Sequence, residues 1–174
     1  VHRSGDIQSS FASFKNQVCA GLNMAIAGIP WWTTDIGGFF GGDINDPSFR
    51  ELLVRWFQWG AFLPVMRMHG YRMPYQPQYG PTGGATCRSG APNEIWCFGE
   101  EVYEILKDYI FLREKMRPYI REVMREAHEK GSPVLRPLFY AFPADRHAWD
   151  VEDEYCFGGD ILGKPATDLG CRKL

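Results

Sequence analysis

Trp31-Trp32-Thr33-Thr34-Asp35-Ile36-Gly37-Gly38-Phe39-Phe40 sets one carboxylate between two tryptophans and a glycine pair. The β-rich run Ile29-Pro30-Trp31-Trp32-Thr33-Thr34 predicts a short strand, and Gly37-Gly38 permit a sharp turn directly after it. Asp35 is thereby placed at the carboxyl end of a strand. Aromatic faces offer flat apolar area to a pyranose ring, and a carboxylate offers strong acceptors to vicinal hydroxyls. The stretch therefore has the chemistry of a sugar site.

Outward from this stretch, helix and strand signals alternate. Upstream, Ser9 and Ser10 are helix-cap candidates followed by Phe11, Phe14, Val18 and Leu22 at three- and four-residue spacings. Downstream, Asp46 and Pro47 suit an N-cap and first helical position, and Leu52, Leu53, Trp56, Trp59 and Phe62 form a broad apolar stripe. Leu63-Pro64-Val65-Met66-Arg67-Met68 is a strand candidate, so His69-Gly70 falls just past a strand as Asp35 does. The Gly-, Pro- and Gln-rich stretch from Tyr71 to Pro92 reads as a long surface loop able to wall a site.

From Gly99 to Lys130 apolar residues recur near a 3.6 period, which predicts a long helix that Pro118 kinks or splits and Gly131 stops. The charges from Arg113 to Lys130 read as a solvated face with i,i+4 pairs. Val134 to Tyr140 predicts a strand, and Tyr155-Cys156-Phe157 and Ile161-Leu162 two shorter ones. This alternation favours a parallel α/β architecture, and functional residues after successive strands favour a (β/α)8 barrel.

With 174 residues the chain falls short of the roughly 250 that a complete barrel needs. Only part of the strand-helix units can be found, and no initiator methionine opens the sequence, so a fragment is expected. Net charge is -2 and no long basic run occurs, which argues against a nucleic-acid partner. No apolar run reaches the roughly 18 residues of a membrane span, and no membrane association is expected. Cys19, Cys87, Cys97, Cys156 and Cys171 are odd in number and irregular in spacing. They fit neither a disulfide framework nor metal knuckles and read as reduced thiols, which favours a cytoplasmic enzyme. No metal or other cofactor is implied.

Ser4-Gly5-Asp6, the stretch from Trp31 to Phe39, Arg67-Met68-His69-Gly70 and Arg136-Pro137-Leu138-Phe139-Tyr140 occur in an order and spacing that resemble family 31 of the glycoside hydrolases. Ala91-Pro92-Asn93-Glu94-Ile95-Trp96, Leu112 to Tyr119 and Asp153 to Gly158 fit as well. The wording is closest to the α-xylosidase-like and microbial α-glucosidase-like branches. The resemblance implies a partial (β/α)8 barrel, its C-terminal half, over residues 1–165, and a truncated tail over 166–174 that begins a β-sandwich.

It also implies cleavage of α-linked glucosides or xylosides with retention by a carboxylate pair. Asp6 then corresponds to the acid/base, Asp35 and His69 to groups binding sugar hydroxyls, and Phe39 to a wall of the first subsite. Trp32 would pack on the ring or support the carboxylate, and Arg67 would assist at the same place. The family's Trp-x-Asp-Met-Asn-Glu-like nucleophile segment does not occur, so the nucleophile is expected upstream. Arg3 stands near where the family usually has Trp, which removes an aromatic wall and sets a cation beside the acid.

Simpler readings exist for each residue. Asp6 and Asp35 fit turn positions, His69 a satisfied loop histidine, and Arg67 a partner for a core carboxylate. An inactive, carbohydrate-binding family member is the main alternative at the level of the whole chain, and an unrelated α/β structural or interaction domain is another. The order of four separate motifs disfavours the second, because a fold alone does not enforce it.

Overall fold

The computed structural model describes residues 2–86 and 89–171. Val1, Cys87, Arg88 and the last three residues of the tail lie outside the described residues. The described chain runs β1 (His2–Arg3), α1 (Phe11–Ile26), β2 (Trp32–Thr33), β3 (Phe40–Asp43), α2 (Pro47–Gly60), β4 (Tyr71–Gln76) and β5 (Ser89–Ala91). It continues through α3 (Glu100–Lys115), α4 (Arg117–Lys130), β6 (Leu135–Pro137), α5 (Leu138–Ala141), β7 (Tyr155–Phe157) and β8 (Ile161–Gly163).

The helix boundaries follow local chemistry. Ser10, in extended backbone, accepts from the Ser13 amide and starts α1; Asp46 does the same for α2 through the Ser48 amide, with Pro47 in the first turn. Pro118 lies in the first turn of α4, where its missing donor is harmless, and the long periodic segment breaks at Met116 into α3 and α4. Gly131 closes α4 in the left-handed region at φ 72°.

The apolar stripes meet as their periods require. Phe14 of α1 stacks on Trp56 of α2 at 5.0 Å between centroids, and Trp59 packs against both Phe14 and Trp32. Phe14, Trp56, Leu53 and Ile36 are fully buried there. Gly60 makes this approach possible, since a Cβ on it would lie 2.5 Å from the Ile36 Cδ1.

β1 and β2 pair in parallel, and beyond them Ile36 makes a parallel bridge to Met68. Three extended segments thus lie side by side, joined successively by α1 and α2, which is the start of a parallel barrel wall. Among the described residues the wall does not close. The predicted strand over 63–68 is not a regular one: among the described residues the bridge at Met68 is its only ladder contact. Side chains take its carbonyls instead. The Thr33 hydroxyl donates to Val65 O at 2.8 Å, and Arg113 of α3 donates to the carbonyls of Ala61, Leu63 and Pro64. Arg113 is thereby removed from the solvated face expected for it, and burial lowers its pKa.

Two further expectations are corrected. Tyr71 to Pro92 is not simply a loop, because its ends form β4 and β5; β4 pairs in parallel with β3 and antiparallel with β5. The composition of the stretch is loop-like, but backbone pairing with Phe39 and Ile44 and the Tyr71–Tyr75 stack at 4.7 Å override it. The later strands are not parallel either. β6, β7 and β8 form an antiparallel sheet in register Leu135–Phe157 and Phe157–Ile161, and the predicted strand over 134–140 ends at Pro137, where α5 begins.

Candidate active site

The parallel wall ends in three segments that carry the predicted site residues: the loop after β1 with Asp6, the turn after β2 with Asp35, and the loop after the Met68 bridge with His69. Strand pairing aligns these ends, so residues 6, 35 and 69 emerge on one edge of the fold. The turn at Asp35 is tight. The Gly38 amide donates to Asp35 O at 2.9 Å, with Gly37 and Gly38 at φ 86° and 76°. A Cβ on Gly38 would fall 2.8 Å from the backbone of Gln8 and Ser9, so glycine lets this turn lie against the segment following Asp6.

Asp35 is fully buried, with Thr33 and Thr34 buried beside it. Its Oδ2 accepts from Arg3 Nη1 at 2.9 Å, and its Oδ1 is 3.2 Å from Arg67 Nη1. The second contact is an ion pair without hydrogen-bond geometry, and Oδ1 has no donor among the described residues. Arg3 Nη1 also donates to Asp6 Oδ1 at 3.0 Å, so a single guanidinium nitrogen joins a half-exposed aspartate to a buried one. The Asp6 hydrogen bond, followed by the charge of Asp35, raises the pKa of Arg3.

His69 is half-buried, and the Phe39 ring lies 5.3 Å from its imidazole at 41°. Phe39 is fixed from both sides by its backbone: its amide donates to Ile7 O at 2.8 Å, and its carbonyl accepts from the Tyr71 amide at 2.7 Å. Trp32 is placed differently. Strand alternation turns it into the core against Gly21 and Trp59 and leaves its neighbour Trp31 half exposed, so Trp32 offers no face to a ligand here and braces the strand below Asp35. The structure thus brings Asp6, Asp35 and Arg67 together around Arg3 and pairs Phe39 with His69 at the end of the neighbouring segment, with Trp32 turned into the core.

Two clefts lie elsewhere. One of about 510 Å³ runs between α2 and the start of α3, and one of about 340 Å³ is lined by Trp59, Tyr109 and Tyr155; neither includes Asp6, Asp35 or His69. Burial raises the Tyr155 pKa in the second. Among the described residues no three His, Cys, Asp or Glu side chains gather as metal ligands, and no helix is long and apolar enough to cross a membrane.

Sequence reasoning missed Arg72, which sits fully buried behind the three loops. Its signal was a lone arginine two residues after His69-Gly70, inside a segment read as loop. The bridging role of Arg3 was legible only as a departure from the expected tryptophan.

Comparison with known proteins fits this geometry. The profile described as the glycosyl hydrolases family 31 TIM-barrel domain matches residues 1–123, and that of the glycosyl hydrolase family 31 C-terminal domain matches residues 131–173. The antiparallel sheet β6–β8 lies within the second match. An alpha-xylosidase of Saccharolobus solfataricus is 38% identical over 164 residues, covering 94% of this chain and 20% of that protein. The crystal structure of a family 31 alpha-xylosidase from a soil metagenome, complexed with xylose, superposes with a TM-score of 0.94 at 56% identity, over 98% of this chain and 25% of that one. A Flavobacterium johnsoniae family 31 dextranase complexed with glucose superposes with a TM-score of 0.80 at 32% identity, over 97% and 20%. The chain therefore spans a quarter or less of the length of these relatives.

Proposed function

Because the chain belongs to glycoside hydrolase family 31, we propose that it is the C-terminal part of the catalytic region of a retaining α-glycosidase acting on α-linked xylosides or glucosides. The observation that carries this reading is the convergence of Asp6, Asp35 and His69 at the ends of three neighbouring parallel segments, with Arg3 in contact with both aspartates. Asp6, accessible and on a loop, is the acid/base. It donates a proton to the departing oxygen as a second carboxylate, whose carboxyl group stands about 5 to 5.5 Å from that of Asp6, attacks the anomeric carbon, and it then takes a proton from the water that hydrolyses the glycosyl-enzyme. That nucleophile is assigned to a segment of the enzyme outside this chain.

Asp35 and His69 hold the sugar. The donor-free Oδ1 of Asp35 is an acceptor for a ring hydroxyl, His69 donates to a neighbouring one, and Phe39 covers the ring. Arg67 sets a positive charge 3.2 Å from the buried carboxylate at the point of contact. The substrate is recognised by hydroxyls and ring faces, with no cofactor.

A second reading, a family member that binds sugar without turnover, draws on Arg3. Its guanidinium occupies the acid and the sugar-binding carboxylate together, so both must be released before either serves a substrate. Kinetics of Asp6→Ala in the full-length protein separate the two. As the acid, Asp6 is needed most when the leaving group is poor, so Asp6→Ala depresses hydrolysis of alkyl or disaccharide substrates by about 100-fold or more, and of activated aryl glycosides far less. Equal loss on both classes removes Asp6 from the acid role. Binding of xylose or glucose with no hydrolysis by the unaltered protein establishes the second reading.

A further inference from the structure

Arg72 of β4 is 0% exposed, yet among the described residues it has no carboxylate in contact. Its guanidinium is spent on neutral acceptors from four segments. Nη2 donates to Ile36 O at 2.9 Å and His69 O at 3.4 Å; Nη1 donates to Gly38 O at 2.8 Å, Ser9 Oγ at 3.2 Å and Gly37 O at 3.4 Å; Nε donates to Asn93 Oδ1 at 2.9 Å. The five N–H groups of the fork are all engaged. Phe49 lies under the cation, 4.9 Å from Cζ.

The acceptors are not scattered. Ser9 follows Asp6 on the same loop, Ile36 to Gly38 form the turn directly after Asp35, and the third segment is joined at the carbonyl of His69 itself. We propose that Arg72 is the positioning residue of the site, a single planar fork that fixes the loops of Asp6, Asp35 and His69 relative to one another. The inference rests on the reading of those three residues as the site.

Several features make a fork necessary. Six acceptors in four directions cannot be met by an ammonium, which has three donors radiating from one point, so lysine is no substitute. The partial negative charges of the Ile36, Gly37 and Gly38 carbonyls offset the buried cation. Burial lowers the Arg72 pKa to about 10, which leaves it charged at neutral pH. Two glycines are shaped around it. A Cβ on Gly70 would lie 2.5 Å from Cζ and 2.6 Å from Nη2, and one on Gly37 would lie 2.8 Å from Nη2. Gly70 is outside the left-handed region, so alanine there strains no backbone and acts by displacing the guanidinium.

The test uses Arg72→Met, Arg72→Lys, Gly70→Ala and the double variant Gly70→Ala/Arg72→Met in the full-length protein, each assayed well below its own melting temperature. Positioning predicts that folded Arg72→Met and Arg72→Lys raise KM and lower kcat together, by about tenfold or more each, as expected when site groups shift by a fraction of an ångström to an ångström. Gly70→Ala, which keeps the arginine, gives the same pattern, and the double variant is no worse than Arg72→Met alone. Unchanged KM and kcat with only a lowered melting temperature overturn the proposal. If Arg72→Met does not fold, Gly70→Ala carries the test, and wild-type kinetics there overturn it equally. Asp35→Asn serves as the independent control. Wild-type KM in Asp35→Asn removes the assignment of the site, whereas loss in Asp35→Asn beside intact Arg72 and Gly70 variants removes only the role of Arg72.

Discussion

Asp6 and Asp35 share one partner, Arg3, but differ in burial, and that difference separates their tasks. Asp6 keeps two-fifths of its side-chain surface and is open to water, whereas the Asp35 side chain is covered in the unliganded fold, with Arg3 and Arg67 against it. The two arginines that face Asp35 retain 40% and 34% exposure. Once the carboxylate is gone they can turn to water, so Asp35→Ala should destabilise by about 1–2 kcal/mol, less than the 3–5 kcal/mol of breaking a fully buried pair. Its effect on substrate should be larger. Losing a charged hydrogen bond to a sugar hydroxyl is expected to reduce kcat/KM by about 10- to 100-fold in the full-length protein. Denaturant melts beside steady-state kinetics check the pair of values, and a stability loss with unchanged kcat/KM would make Asp35 a structural residue. The sequence disclosed Asp35 by its place between two tryptophans and a glycine pair, and Asp6 by the Ser4-Gly5-Asp6 motif of the family resemblance. It could not disclose that Arg3 joins them, since that contact spans 32 residues.

Among the elements, the helices were readable because their signals are local. The caps at Ser10 and Asp46, the break at Pro118 and the stop at Gly131 each depend on a few neighbouring residues. Strands were harder. β4 hides in a loop-like composition, and segment 63–68 has a strand-like one but bonds mainly through Thr33 and Arg113. A prediction of pH dependence belongs to the junction of α4 with β6, where Arg136 hydrogen-bonds Glu126 at 2.8 Å. That bond, with the nearby positive charge of Arg136, lowers the Glu126 pKa. A depressed carboxylate pKa stabilises the fold above the unfolded value of about 4.3, and the contribution disappears as pH falls through the lower folded value. Glu126→Gln should therefore reduce stability at pH 7 by about 0.5–1 kcal/mol, and the difference from the unaltered protein should vanish in acid. Parallel melting curves at pH 7 and pH 3 test this; a difference that persists at pH 3 would assign it to packing.

The whole molecule leaves much apolar surface uncovered, with Trp96, Phe111, Trp149 and Leu162 among the exposed large side chains, and its parallel wall is open among the described residues. Catalysis by a carboxylate pair collapses when one member is missing. The 174-residue chain by itself should accordingly give no turnover of aryl α-xylosides or α-glucosides, measured on a preparation free of host glycosidases; turnover would place both carboxylates within it. By itself the sequence determined the helices α1 to α4, the stripes that pack α1 on α2, the strand-end placement of Asp35 and the order of motifs that identifies the family. These rest on periodicity, capping and turn chemistry, which act over a few residues. Only the tertiary structure decided that the later sheet is antiparallel, that Trp32 turns inward, that Arg3 joins Asp6 to Asp35, and that Arg72 gathers the three loops. Each of those outcomes depends on which distant backbone arrives within hydrogen-bond reach, and burial, not local propensity, selects that arrangement.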